Sequence, residues 1–124
     1  MSDCERMTWQ QFDDACRKIA ERIRHDGSTF KNIYGIPRGG LIVAVKLSHL
    51  LGLPIVLNVE DTGWNTLIVD DIADTGKTLA PFKCEDRFLC VATLYYHRQS
   101  VVVPDFWVLE KTSKWIVFPW EEEE

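Results

Sequence analysis

Residues 67–79, Leu-Ile-Val-Asp-Asp-Ile-Ala-Asp-Thr-Gly-Lys-Thr-Leu, constrain this chain more than any other stretch. An apolar run, read as a strand over Thr66 to Asp70, delivers the adjacent carboxylates Asp70 and Asp71. A third carboxylate, Asp74, follows, and the turn Thr75-Gly76-Lys77-Thr78 then opens onto new apolar sequence. That order suits a ligand carrying both a phosphate and vicinal hydroxyls: the acids take the hydroxyls or a metal, and the turn takes the phosphate.

The elements around this stretch alternate. Trp9, Phe12, Cys16, Ile19 and Ile23 recur at helical spacing, which predicts a helix over about 8–25. Thr8 is its expected N-cap with Gln11 in the capping-box position, His25 falls in its last turn, and Gly27 is the stop. Further expectations are a strand over 30–35, a helix over 41–51 and a strand over 54–58. A helix over 78–83 and strands over 88–96 and 106–109 complete the set. Strand–helix alternation predicts an α/β fold, a mostly parallel twisted sheet flanked by helices. Ligands bind such sheets beyond the carboxyl ends of the strands, where both the Asp70-Asp71 turn and Pro37-Arg38-Gly39-Gly40 would lie.

The length allows one domain, residues 1–120, followed by an acidic tail, 121–124. That tail supplies four of the charges behind the formal net −5, leaving the body near −1. Without a basic stripe, nucleic-acid binding is not expected. Nor is a membrane span, because no run approaches roughly 18 apolar residues. The start has acids where a signal peptide would be basic and then apolar. Cys4, Cys16, Cys84 and Cys90 lack metal-ligand spacing and read as reduced thiols of a cytoplasmic protein.

Gly76-Lys77-Thr78 is not a nucleotide P-loop, because Asp71 stands where that loop's first glycine belongs and would repel the phosphates. Asp70-Asp71-x-x-Asp74 also matches a terpenoid-synthase metal motif, but that one sits on helices of large all-helical proteins. A plain acidic turn accounts for one acid and leaves clustered carboxylates raising one another's pKa without a cation.

The whole stretch resembles the signature of the type I phosphoribosyltransferases, which bind phosphoribosyl pyrophosphate (PRPP). The resemblance implies that Asp70 and Asp71 hold the ribose hydroxyls, directly or through Mg²⁺. It further implies that Asp74, Thr75, Gly76, Lys77 and Thr78 wrap the 5′-phosphate. Ile36-Pro37-Arg38-Gly39-Gly40 is similar to the family's pyrophosphate loop, which implies a cis Pro37–Arg38 bond. Lys114-Trp115-Ile116-Val117-Phe118-Pro119-Trp120-Glu121 resembles the end of the small xanthine-guanine enzymes. There Trp115 would stack on the purine, the Ile116 backbone would meet the base edge, and Asp74 would act catalytically on the N7 proton. The alternative is that Trp115 and Trp120 are simply core aromatics. Alignment through Thr93–Tyr96 puts His97, then Arg98, where those enzymes use a lysine for the 6-oxo group. Either could make that contact, or both could belong to a plain loop.

The resemblance also implies a homo-oligomer with a hood over the site. Here the hood is reduced, and the usual long flexible loop is shortened to Val59–Asn65. Two functions are therefore expected: Mg²⁺-dependent transfer of ribose-5-phosphate from PRPP to a 6-oxopurine, or a non-catalytic PRPP- or nucleotide-binding sensor on the same fold.

Overall fold

Residues 3–84 and 87–122 are described in the computed structural model. Strand β1 (Cys4–Arg6) leads into helix α1 (Trp9–Asp26). The capping box at its start is complete: Thr8 Oγ1 accepts from the Gln11 N–H at 3.0 Å, and Gln11 Oε1 accepts from the Thr8 N–H at 2.8 Å. Gly27, at φ 80°, ends the helix in the left-handed conformation that a residue without Cβ adopts most easily. Strand β2 (Asn32–Gly35) and helix α2 (Gly39–Leu51) follow, α2 starting two residues before its apolar pattern begins.

The chain continues with β3 (Thr66–Ala73), a 3₁₀ turn at Ala80–Phe82, and the short pair β4 (Lys83–Cys84) and β5 (Arg87–Phe88). Strands β6 (Cys90–His97), β7 (Leu109–Lys111) and β8 (Trp115–Val117) complete it. The main sheet runs β2-β3-β6-β7, every pair parallel. A second sheet pairs β1 with β8, also in parallel, and forms the small hood. The expected sheet and flanking helices are thus present, with both helices on one face. Ile33, Leu67, Val69, Ala92 and Leu94 pack with the buried residues of α1 and α2. Tyr34, Ile68 and Val91 face the other way, where Leu79, Phe82, Leu89 and Val102 cover them without a long helix.

Several boundaries differ from the sequence reading. The helix expected over 78–83 is only the 3₁₀ turn, because Pro81 lacks an amide donor and the segment instead folds Leu79 and Phe82 onto the sheet. The strand expected over 54–58 reduces to one bridge, Ile33 with Ile55. Phe88 belongs to the β4–β5 hairpin rather than to β6. Phe106 only bridges Ala92, so the last core strand begins at Leu109 and runs to Lys111. All four cysteines are free, and among the described residues no helix is long and apolar enough to cross a membrane. Glu121 of the acidic tail accepts the Phe118 N–H at 2.9 Å, while Glu123 and Glu124 lie outside the described residues.

Candidate active site

The carboxyl end of β3, the N-terminus of α2 and the hood strand β8 converge on an open cleft of about 1110 Å³. Its walls include Pro37, Arg38, Gly39, Asp70, Asp71 and Trp115, with Trp120, Glu121 and Glu122 at one side. Pro37–Arg38 is cis, as the resemblance implied. Arg38 is the N-cap position of α2 and makes no side-chain cap, while the Gly40 and Leu41 N–H groups of the first turn donate to the Ile36 and Arg38 carbonyls at 2.8 and 3.1 Å. The two glycines that follow permit close approach. A Cβ at Gly39 would strike the Asp71 carboxylate, and one at Gly40 would lie 2.5 Å from the Val69 carbonyl oxygen.

Asp70 is nearly buried. Its Oδ1 accepts the Asp71 N–H at 2.9 Å and its Oδ2 accepts from Thr78 Oγ1 at 3.4 Å. Burial, then the charge of Asp71, pushes the Asp70 carboxyl up to about 8. Burial raises Asp71 as well, and Glu121 adds to that. Two carboxylates held together out of water favour a bound cation. Among the described residues no group of three or more His, Cys, Asp or Glu could hold a metal unaided. The donor set suits Mg²⁺, which binds through one or two carboxylates with ligand phosphates completing its shell.

Beyond β3 the turn 75–78 is braced from behind. The Val101 N–H donates to the Thr75 carbonyl at 2.9 Å. Gly76, at φ 84°, packs so closely that a Cβ would lie 2.5 Å from Ser100 Oγ and 2.8 Å from the Val102 nitrogen. The Lys77 N–H donates to Thr75 Oγ1 at 3.3 Å. Because only the 3₁₀ turn follows, an anion here would meet backbone N–H groups and Lys77 without the dipole of a long helix.

Asp74 lies outside the walls of the cleft, on the same rim. Three donors meet its Oδ1: His97 Nδ1 at 2.7 Å, Gln99 Nε2 at 3.4 Å and Lys111 Nζ at 3.5 Å. Burial raises the Asp74 pKa, but the His97 hydrogen bond and the Lys111 charge outweigh it and hold the carboxyl below its ordinary value. His97, a candidate base contact, is therefore engaged with Asp74, while Arg98 pairs with Glu110 at 2.6 Å. Lys111 escaped the sequence reading. Nothing in its neighbours marks it, since only its register beside His97 brings it to Asp74.

The hood separates the two tryptophans. Trp120 stacks on Phe118 with ring centroids 5.0 Å apart and meets Phe12 edge-on. Trp115 is 64% exposed and turns into the cleft wall. The Trp115 N–H donates to the Asp3 carbonyl at 3.1 Å, and the Val117 carbonyl accepts from Met7 at 2.9 Å. In a parallel ladder alternate residues bond to opposite sides, so the Ile116 N–H and C=O point to the unpaired edge of the hood.

No protein-family model matches the chain. Solved structures match it over nearly its full length. The purine phosphoribosyltransferase from Pyrococcus horikoshii superposes with TM-score 0.82 at 34% identity, covering 98% of this chain and 97% of that one. A hypothetical protein from Neisseria gonorrhoeae with bound ppGpp gives 0.79 at 20% identity, covering 98% and 91%. The Helicobacter pylori xanthine-guanine-hypoxanthine phosphoribosyltransferase gives 0.77 at 19%, covering 94% and 92%. The last two carry the fold alone. With the first, at 34% identity over nearly the whole of both chains, the chain belongs to the purine phosphoribosyltransferases of the type I fold.

Proposed function

We propose that the protein transfers ribose-5-phosphate from PRPP to a 6-oxopurine, releasing pyrophosphate. The observation that carries this reading is the convergence of the cis Pro37–Arg38 loop, the Asp70–Asp71 pair and the exposed face of Trp115 on one cleft. Asp70 and Asp71 hold the ribose hydroxyls and the substrate's Mg²⁺. When bound, that ion neutralises charge on the departing pyrophosphate. The backbone of 75–78, with Lys77, binds the 5′-phosphate. The α2 N-terminus and Arg38 orient the pyrophosphate, and Trp115 stacks on the purine while the Ile116 backbone meets its edge. Asp74 is ionised and accepts the N7 proton as the C1′–N9 bond forms. Most of the acceleration then comes from positioning and preorganised charge.

The test is pyrophosphate release and nucleotide formation with PRPP, Mg²⁺ and a panel of purines and pyrimidines. Turnover restricted to 6-oxopurines supports the reading, and PRPP binding without turnover on any base refutes it. That second outcome would favour a nucleotide-binding sensor, a reading that the short 59–65 connection and the ppGpp-bound neighbour support. The reading includes a homo-oligomer in the cytoplasm, and light scattering of the purified protein checks its assembly.

A further inference from the structure

The hood strands β1 and β8 form a sheet of their own, apart from the main one. A two-stranded pair is marginal by itself in water, so its place over the cleft depends on what lies beneath it. Paired residues of a parallel ladder share a face, and successive residues alternate between faces. Cys4 opposite Trp115 turns to the cleft, with Val117 on the same side. Glu5 opposite Ile116 turns the other way, toward the core in which Ile116 is buried. There the Tyr95 hydroxyl, from the interior strand β6, donates to Glu5 Oε2 at 3.1 Å.

Apolar packing sets the depth of the hood but not its direction. Met7, Ile116 and Phe118 press into the core, and the Phe118 ring meets Tyr95 edge-on at 5.8 Å, yet hydrophobic contact is non-directional and tolerates sliding. A hydrogen bond does not, because it weakens steeply with misalignment. Tyr95 is 3% exposed, and a phenol at that depth is costly to leave without a partner. Burial, then the charge of Glu5, pushes the Tyr95 hydroxyl up, so it remains a donor at neutral pH. The link also falls opposite a critical position. Ile116, the ladder partner of Glu5, is the residue whose N–H and C=O face the open edge of the hood.

We infer that the Tyr95–Glu5 hydrogen bond is the strut that holds the hood in place over the cleft, which makes both residues positioning residues for the purine. Neither touches the ligand. The loops 37–40 and 75–78, which would take PRPP, follow β2 and β3 and stand without it. The inference rests on the purine-transfer reading for its ligand, but not for the strut itself.

The test compares the intact chain with Tyr95→Phe, Glu5→Leu and Glu5→Gln, each checked for folding by circular dichroism. Tyr95→Phe keeps the ring and leaves a half-buried carboxylate within reach of water. Without ligand, amide hydrogen exchange in β1 and β8 should quicken by about 10-fold in this variant, while β3 is unchanged. With PRPP and Mg²⁺, kcat/KM for guanine or hypoxanthine should fall by about 10- to 100-fold, as for a base misplaced by roughly 1 Å. PRPP affinity should hold, a split that a general loss of structure would not produce. Glu5→Leu should match Tyr95→Phe, and the double variant should be no worse than either. Glu5→Gln, which keeps an acceptor, should behave as the intact protein. Where Tyr95→Phe does not fold, Glu5→Leu carries the comparison. Equal loss of PRPP and purine binding, Glu5→Gln as impaired as Glu5→Leu, or unchanged hood exchange overturns the inference. Faster hood exchange in Tyr95→Phe, alongside an intact protein that turns over no purine, would reject the enzyme reading and leave the strut standing.

Discussion

Gly39 and Gly40 are neighbours, yet alanine at each should do opposite things. At Gly40 the new methyl would lie 2.5 Å from the Val69 carbonyl oxygen and 3.2 Å from Asp70 Cα. Both belong to the backbone of β3, which is paired on both sides and cannot retreat. Overpacking of this kind costs about 1–3 kcal/mol, against roughly 0.5–1 kcal/mol returned when alanine replaces glycine in a helix. The net loss of about 1–2 kcal/mol corresponds to a fall in Tm of roughly 3–10 °C for a chain of this size. At Gly39 the methyl meets the end of the Asp71 side chain, with Cγ at 2.6 Å. That group can rotate away, so Tm should hold or rise slightly. Its carboxylate, however, leaves the place where it would meet ligand. Losing one charged contact weakens PRPP binding in Mg²⁺ by about 10- to 100-fold. Thermal melts of the free variants and titration with PRPP and Mg²⁺ read the two effects separately. A Gly39→Ala protein that loses as much Tm as Gly40→Ala while binding PRPP normally would refute the reasoning.

Four other outcomes follow from the same geometry. Asp74→Asn should cut turnover by about 10²–10⁴-fold while leaving PRPP affinity intact, and joint loss of both would count against its role as base. Because its partners hold Asp74 below the ordinary carboxylate value, the acid limb of the pH–rate profile due to this group should lie below that value, and His97→Asn should move it upward. Asp70, with its carboxyl pushed up to about 8, retains its proton on folding, so stability in the absence of ligand falls as pH rises from about 4 toward 8. Asp70→Asn should flatten that slope in melts taken across the range and raise Tm at its alkaline end, while abolishing PRPP binding; an unchanged slope would contradict the assignment. Trp115→Ala removes a side chain that is 64% exposed, so Tm should stay, while affinity for the purine nucleotide drops by roughly 1–3 kcal/mol of stacking. Unchanged nucleotide affinity in the folded variant would mean that the purine lies elsewhere.

The sequence determined what depends on near neighbours. Helix α1, its Thr8–Gln11 box and its Gly27 stop follow from spacing and capping chemistry, and all three are present. The strand that carries Asp70, although it runs on through Asp71 to Ala73 instead of ending at Asp70, and the cis Pro37–Arg38 bond could likewise be anticipated from short motifs. Local patterns misled where tertiary packing competes with propensity: Thr78–Lys83 reads as a helix, but Leu79 and Phe82 are needed flat against the sheet. The rest lay with partners far apart in the chain. Only parallel pairing of Cys4–Arg6 with Trp115–Val117 builds the hood that sets Trp115 over the cleft while Trp120 packs among Phe12 and Phe118. Only the β3-β6-β7 register sets Asp74, His97 and Lys111 in one row. Register is chosen by which faces of distant strands become buried together, and no window of neighbouring residues contains that choice.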